Sequence, residues 1–262
     1  MMVHTRVHPT PSVTLVLSFH PSYNTLPCET PMPFTFRFPI ALVLSIACLA
    51  VPAWADFQAG MDAYKRKDYA TALREWGPLA RQGHADAQFM LGDMYRYGEG
   101  VPRDYVQGQK WYEKAAAQGN AKAQYELGQL YQYGYAEGVD YKQARQWYEK
   151  AAVQGIANAQ YLLGVLYEEG AGVPQNYKQA RRWYEQAAAQ DHPKAQLNLG
   201  TMYELGFGVT QDYVQAHMWY NLAGANGNYH AAPRRDALAK KMTPAQIDEA
   251  DKLAREWTPT TP

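Results

Sequence analysis

Hydrophobic and polar positions recur along most of the chain with a period of 36 residues. Two series define the register best, namely the glycines Gly92, Gly128, Gly164 and Gly200 and the tryptophans Trp111, Trp147, Trp183 and Trp219. Trp76 precedes the tryptophan series by 35 residues. A fixed period of roughly 20–50 residues is typical of solenoids and other repeat arrays. The pattern therefore predicts one structural unit built several times over.

Each period predicts two helices. Within Ala85–Tyr97, the side chains of Gln88, Leu91 and Tyr95 are spaced i, i+3, i+7 and share one helical face. A Gly- and Pro-rich link follows, and Asp104 with Gln107 then resembles a capping box that opens a second helix. The same pair recurs as Asp140/Gln143, Asn176/Gln179 and Asp212/Gln215. Stacked helix pairs predict an all-α, α-solenoid architecture.

The mid-helix glycine series and the conserved spacing of alanines indicate close helix packing. Glycine costs about 1 kcal/mol of helix stability relative to alanine. Its recurrence at the same helix position therefore implies that a facing helix or the Trp ring approaches the backbone closely there. Trp147 lies between Ala144 and Ala151 on one helix face. We expect the tryptophans to be core residues.

The first 55 residues have the character of a leader. Residues 1–31 show no periodicity and look like an over-extended start. Residues 32–55 read as a signal peptide, with Arg37, an apolar run from Ile40 to Val51, and Ala53-Trp54-Ala55 as the cleavage site. The apolar run is shorter than the ~20 residues of a membrane span. We therefore expect export to the periplasm, cleavage after Ala55 and no stable membrane span.

The remaining chain divides at the repeat period. We expect a shortened first repeat at 56–84, full repeats at 85–120, 121–156, 157–192 and 193–228, C-terminal capping helices at 229–257, and a disordered tail at 258–262. Thr243 to Gln246 is a second capping-box pattern, with proline at the first helical position. Ile247, Ala250, Leu253 and Trp257 then form an apolar stripe that would close the solenoid.

The repeat elements resemble the Sel-one-like repeat family, a tetratricopeptide-like class of α/α repeats. The elements are Ala-x-Ala-Gln-x-x-Leu-Gly-x-x-Tyr and Asp-Tyr-x-x-Ala-x-x-Trp-Tyr-x-x-Ala-Ala, and they cover residues 85–228. The resemblance implies a right-handed superhelix of about five repeats that binds proteins or peptides. Some relatives with a cysteine pair in every repeat are linked to penicillin binding, and the repeats here have no cysteine.

Composition weighs against an enzyme and against nucleic-acid binding. The chain has 25 basic and 25 acidic residues, so no net charge draws it to polyanions. Residues 56–262 contain neither serine nor cysteine, the commonest nucleophiles. Their four histidines form no metal-ligand or catalytic motif, and we expect His84 and His192 to be solvated turn residues. No metal or cofactor is implied.

The residues that differ between repeats suggest a binding surface. On the first helix of each repeat they fall at i, i+4, i+7 and i+11, a narrow stripe that begins at Asp86, Lys122, Asn158 and Lys194. The candidate partner-binding residues that continue it are Met90, Asp93, Tyr97, Glu126, Gln129, Tyr133, Leu162, Val165, Glu169, Asn198, Thr201 and Leu205. The alternative is a solvent-exposed face whose residues vary between repeats without any functional constraint. The apolar residues of the stripe argue against this alternative. We expect Leu162 and Val165 to be solvent-exposed anchors of a peptide groove.

The sequence thus predicts an exported, non-enzymatic interaction scaffold or regulator that binds a protein or peptide partner. A peptidoglycan- or glycan-binding module that uses the Tyr-rich face is the alternative. A β-lactamase-like enzyme is the third reading, and the missing serine and cysteine disfavour it. The sequence identifies neither the partner nor the oligomeric state.

Overall fold

The computed structural model describes residues 56–260, which form an all-helical solenoid. The expected over-extended start and signal peptide, residues 1–55, lie outside the described residues. The helices are α1 (Phe57–Lys65), α2 (Tyr69–Arg81), α3 (Ala85–Tyr97), α4 (Tyr105–Ala117), α5 (Ala121–Tyr133), α6 (Tyr141–Val153), α7 (Ala157–Glu169), α8 (Tyr177–Ala188), α9 (Pro193–Leu205), α10 (Tyr213–Ala225), α11 (Ala231–Ala239) and α12 (Pro244–Glu256).

Consecutive helices pack in pairs, and each pair packs on the next. The four full repeats are α3–α4, α5–α6, α7–α8 and α9–α10, preceded by the shorter pair α1–α2. We call α3, α5, α7 and α9 the first helices and α4, α6, α8 and α10 the second helices. No helix within residues 56–260 combines the length and the hydropathy needed to cross a bilayer.

Capping residues set the helix boundaries. The Asp104 side chain accepts a hydrogen bond from the Gln107 amide at 3.0 Å, and the equivalent residues of the later repeats do the same. These are N-caps; the full capping box, with its reciprocal glutamine bond, is present at Thr243 and Gln246. Left-handed residues follow the second helices. Three are glycines, and Asp191 takes their place with φ 57°.

The aromatic core differs from the sequence prediction. The fully buried aromatic residue of each second helix is the tyrosine that follows the tryptophan, namely Tyr112, Tyr148, Tyr184 and Tyr220. Trp147 is half-buried against the preceding repeat, with the Lys150 Nζ 3.8 Å from its ring centroid. Trp76 is fully buried and lies 36 residues before Tyr112, so it occupies the tyrosine position of the first pair.

The recurring mid-helix glycine makes room for this tyrosine rather than for the tryptophan. A Cβ atom at Gly128 would lie 2.3 Å from a ring carbon of Tyr148, and the other three full repeats give 2.5 Å. Since real Cβ contacts lie beyond about 3.4 Å, only glycine lets the two helices pack this closely. The Tyr148 hydroxyl donates to Gln132 at 2.6 Å, which satisfies its buried polar atom.

A buried glutamine in each full repeat links three helices through its hydrogen bonds. The Gln124 amide donates to the Ala116 carbonyl of the preceding second helix at 3.2 Å, and its oxygen accepts from Gln154 after its own second helix at 2.7 Å. Gln88, Gln160 and Gln196 make the equivalent pair of bonds. The consensus glutamine thus ties each repeat to its predecessor.

The C-terminal helices close the stack. In α12, Ala250 is fully buried and Trp257 meets Trp219 edge-on at 4.9 Å between ring centroids. The expected disordered tail differs from the structure over 258–260, because the Thr260 amide donates to the Ala189 carbonyl at 2.8 Å. This backbone bond fastens the end of the chain to the end of α8.

Candidate functional site

Three open clefts lie along the face formed by the first helices. A cleft of about 440 Å³ near α1, α3 and α5 is lined by Phe57, Met61, Asp86, Phe89, Met90, Asn120, Ala121, Lys122 and Ile156. A cleft of about 330 Å³ between α5, α7 and α9 is lined by Tyr125, Gln129, Tyr133, Asn158, Tyr161, Leu162, His192, Pro193 and Lys194. A cleft of about 510 Å³ beside α9 is lined by Tyr161, Pro193, Lys194, Leu197, Asn198, Gly227, Asn228, Tyr229 and His230. We call them the N-terminal, central and C-terminal clefts.

The predicted stripe residues separate into three groups. Met90, Gln129, Tyr133, Leu162 and Asn198 line one of the clefts. Tyr97, Glu169 and Leu205 are exposed at the ends of the first helices. Asp93, Glu126, Val165 and Thr201 are engaged within the fold. The structure therefore places only part of the stripe in the walls of the clefts.

The prediction that Leu162 and Val165 are fully exposed is wrong. Both are half-buried and pack against core clusters, and Met90 is only 8 % exposed. The reason is the stacking of repeats, because a first helix packs against its own second helix and against both neighbouring repeats. Aspartate at Leu162 and Val165 would bury two carboxylates and disturb the fold, so that substitution does not test binding cleanly.

Charged members of the stripe join adjacent first helices. Arg96 of α3 forms an ion pair with Glu126 of α5 and donates to Gln129 at 2.7 Å. Asp93 accepts from the Tyr112 hydroxyl at 2.6 Å. Burial raises the pKa of Asp93 to about 6, although the Tyr112 bond and Arg96 both act to lower it. The Arg96 contacts link two adjacent repeats, and the Asp93–Tyr112 bond joins the two helices of one repeat.

The groove wall also contains residues that the sequence reasoning missed. Phe89, Tyr125, Tyr161 and Leu197 occupy one position of the four first helices, directly before the second stripe residue. All four are half-buried and line the clefts. Three of the four are aromatic, and this was the signal available in the sequence. The position was passed over because it is neither constant nor polar.

His192 is part of the groove wall and not a solvated turn residue. Its Nδ1 caps α9 by accepting from the Ala195 amide at 3.2 Å, and its Nε2 lies 3.0 Å from Asn158 Oδ1. Its ring stacks on Tyr161 at 4.8 Å between centroids. Burial, and then the nearby Lys194, lower the pKa of His192 to about 4. The ring is therefore neutral near pH 7, and its two hydrogen bonds hold it in the wall of the central cleft. His84 caps α3 in the same way.

The described residues offer no constellation of catalytic type at these clefts. Within 56–260 there is no group of three or more His, Cys, Asp or Glu side chains placed to hold a metal ion. His217 is buried in α10, with Nδ1 3.7 Å from Asp251 and outside the three clefts. What the first-helix face provides is aromatic and amide surface.

Comparison with known proteins agrees with this architecture. The family model of the Sel1 repeat matches residues 85–120, 121–156, 157–192 and 193–228. A Sel1 repeat protein from Oxalobacter formigenes is 31 % identical, with a TM-score of 0.66, over 75 % of this chain and 85 % of that one. The protein c5321, a protective antigen of uropathogenic Escherichia coli with an SLR fold, is 36 % identical, with a TM-score of 0.66, over 72 % of this chain. The match spans only 40 % of the c5321 chain.

No significant match is found among curated protein sequences. The four matched segments make up more than half of the chain, and each contains one first helix and one second helix. Sel1-repeat proteins are generally protein-interaction scaffolds. The helix pairs, their 36-residue period and the matched segments together place this chain in the Sel1 repeat family.

Proposed function

We propose that this protein is an exported, non-enzymatic scaffold or regulator that binds a peptide or protein partner in the groove of its first helices. The observation that carries the proposal is the row of clefts on this face. Their walls are half-buried aromatic and aliphatic side chains, and their rims carry amides and exposed lysines. Such surfaces suit extended or helical peptides, because apolar pockets give affinity and polar rims give register.

The proposed compartment rests on the sequence of the leader. Ala53-Trp54-Ala55 precedes Asp56, and Asp56 caps α1 by accepting from the Gln58 amide at 2.8 Å. Cleavage after Ala55 would leave α1 and its capping residue Asp56 intact. N-terminal sequencing of the protein from cells that express the full chain should give Asp56 as the first residue. A stable product that retains Ile40–Val51 would contradict export.

A peptidoglycan- or glycan-binding role is the second candidate, and exposed tyrosines favour it. Tyr97, Tyr133 and Tyr135 are 46–56 % exposed, and Tyr105 stacks on Tyr135 at 5.1 Å. Aromatic faces of this kind can stack on sugar rings. Sedimentation with purified cell-wall sacculi distinguishes this role, because retention that Tyr97→Ala and Tyr133→Ala abolish would support glycan binding. An enzymatic role has no comparable support.

Site-specific photocrosslinking tests the scaffold proposal. A benzophenone amino acid replaces Tyr229, which is exposed and lines the C-terminal cleft, or Lys178, which is exposed on the second helix α8. In cells that export the full chain, we expect discrete protein adducts from position 229 and none from the control position 178. Equal adducts at both positions, or none at 229, would contradict binding in the groove.

A further inference from the structure

The central and C-terminal clefts are directly adjacent. They share Tyr161, Pro193 and Lys194 as lining residues. Their volumes of about 330 and 510 Å³ together accommodate several side chains of an extended segment. We call this joined surface the Lys194 groove.

The charge of the Lys194 groove is of one sign. Among the described residues that line it, Lys194 is the one lysine or arginine, and none is an aspartate or glutamate. His192 adds no charge near pH 7, because burial and Lys194 lower its pKa to about 4. The N-terminal cleft differs, since Asp86 and Lys122 both line it. A cation at the centre of an otherwise uncharged groove favours a single anionic group in the ligand.

The surroundings of Lys194 define the rest of the ligand. Tyr161 and Leu162 give an apolar wall on one side, and Leu197 gives one on the other. Asn158 accepts from His192 through Oδ1, which fixes its amide with Nδ2 as the donor. Asn198 presents a second amide on the next first helix. Side-chain amides can bond to the backbone of an extended peptide, and the apolar walls suit its side chains.

We infer that the Lys194 groove binds an extended peptide that carries one carboxylate flanked by apolar residues, with Lys194 as the residue that selects the carboxylate. This inference rests on the proposed function and adds the chemistry of the partner. The carboxylate is that of an internal Asp or Glu side chain, because Lys194 lines both clefts and the ligand would continue past it on either side. A neutral or basic residue at the same place would leave Lys194 covered by the ligand and unpaired, which costs binding free energy.

The probe is a set of synthetic heptapeptides of fixed apolar sequence, Leu-Ala-Tyr-X-Leu-Ala-Tyr, with acetylated and amidated ends. The central residue X is Glu, Gln or Lys, and a fourth peptide, Leu-Ala-Tyr-Gln, ends at the central position with a free C-terminal carboxylate. Binding to the purified full chain is measured by fluorescence anisotropy at 50 mM salt. We expect the Glu peptide to bind at least three-fold more tightly than the Gln peptide and the free-carboxylate peptide, and the Lys peptide to bind most weakly. Tighter binding of the free-carboxylate peptide than of the Glu peptide would overturn the assignment to a side-chain carboxylate.

Substitution of the lysine provides the specific readout. Lys194→Gln should abolish the preference among the peptides, and the Gln peptide should bind at least as tightly as before because no unpaired ammonium group is then covered. Lys194→Glu should reverse the order so that the Lys peptide binds best. Lys178→Glu, an equal change of charge at an exposed site on α8, should leave the order unchanged. Raising the salt to 500 mM should shrink the preference, because it shortens the screening length.

The outcomes separate the inference from the function on which it rests. Peptides that bind equally well whatever X is, with binding lost on truncation of Tyr161, would overturn the carboxylate preference and leave the groove as a peptide site. A preference that survives Lys194→Gln would place the selecting cation elsewhere and overturn the inference. Absence of binding by all four peptides would contradict both statements.

Discussion

Replacement of Gly128 by alanine should destabilise the protein, although alanine is the better helix former. The position lies inside α5, where the change from glycine gains about 1 kcal/mol of intrinsic helix stability. The added Cβ would meet two ring carbons of Tyr148, at 2.3 and 2.4 Å. Tyr148 is fully buried, so its ring has no free space into which it can rotate. The sign of the effect therefore depends on which contribution is larger.

The magnitude follows from the size of the overlap. The contacts are more than 1 Å shorter than an ordinary carbon–carbon contact of about 3.5–4.0 Å. Overpacking of a tight core typically costs about 1–3 kcal/mol, and more where a rigid ring and a backbone meet. Against a gain of about 1 kcal/mol, we expect a net loss of about 2 kcal/mol. For a domain of this size that lowers Tm by about 4–8 °C.

Two further variants make this assay decisive. Gly224 lies in α10 with its nearest outside neighbour 3.9 Å from a built Cβ, so Gly224→Ala should raise Tm by about 2–4 °C. In a Tyr148→Ala background, Gly128→Ala should change from destabilising to neutral or stabilising, because the opposing ring is gone. Thermal and urea unfolding, followed by circular dichroism, are measured for the wild type, the three single variants and the double variant. If Gly128→Ala unfolds at or above the wild-type Tm, the ring does not pack on this glycine and the argument fails.

Three further predictions concern other parts of the fold. Tyr148→Ala should lower the free energy of unfolding more than Trp147→Ala, by about 3–5 kcal/mol for the buried ring; equal losses would contradict the assigned core. Gln124→Ala should cost about 1–3 kcal/mol, because a buried carbonyl and a neighbouring amide lose their partner; a change below 0.5 kcal/mol, on the order of an ordinary surface substitution, would contradict the linkage. The raised pKa of Asp93, about 6, means that the folded state holds its proton more tightly than the unfolded state. Its stability contribution is present below about pH 4 and is lost as pH rises through 6, so wild type should lose Tm relative to Asp93→Asn between pH 4.5 and 7.5, and parallel curves would contradict this.

The repeat frame was predictable from the sequence because it depends on period and composition alone. Glycine ends each first helix and Asp or Asn caps each second helix, and these residues recur every 36 positions whatever the tertiary structure does. The first helices begin at residues 85, 121, 157 and 193, at the period of the sequence pattern. The local preferences of turn and cap residues therefore determine where the helices of each repeat begin and end.

The inward-facing aromatic residue was not predictable by the same reasoning. Trp147 and Tyr148 are neighbours that recur with the same period, and they point about 100° apart on the helix. Period alone does not say which one faces the glycine. One signal was present in the first pair, where Trp76 lies a full period before Tyr112 and only 35 residues before Trp111. That register assigns Trp76 to the tyrosine position, where the structure buries it.

The candidate site was only partly predictable, because its walls come from different repeats. When one helix is considered alone, Leu162 falls on the stripe opposite its packed face. Stacking of the repeats nevertheless half-buries Leu162 against a core cluster that includes residues of the preceding repeat. Conversely, the aromatic position of Tyr125 and Tyr161 lies between the two arcs and becomes a groove wall only when first helices stand side by side. Sequence reasoning therefore predicted part of the lining of these clefts and missed the rest.

The N-cap position of the first helices illustrates how a repeated fold can acquire a unique surface. Stacking requires only that the helix begins there, and the residue changes from His84 and Asn120 to Ile156 and His192. Ile156 makes no side-chain cap bond, which costs about 1 kcal/mol relative to a capping residue, but its side chain lines the N-terminal cleft. His192 caps α9 and also forms the wall beside Lys194. The buried glycines, tyrosines and glutamines must be nearly identical in every repeat because each packs against the same partner. Binding selectivity can therefore arise only at positions such as this one, where the fold tolerates several side chains and each repeat can present a different one to the groove.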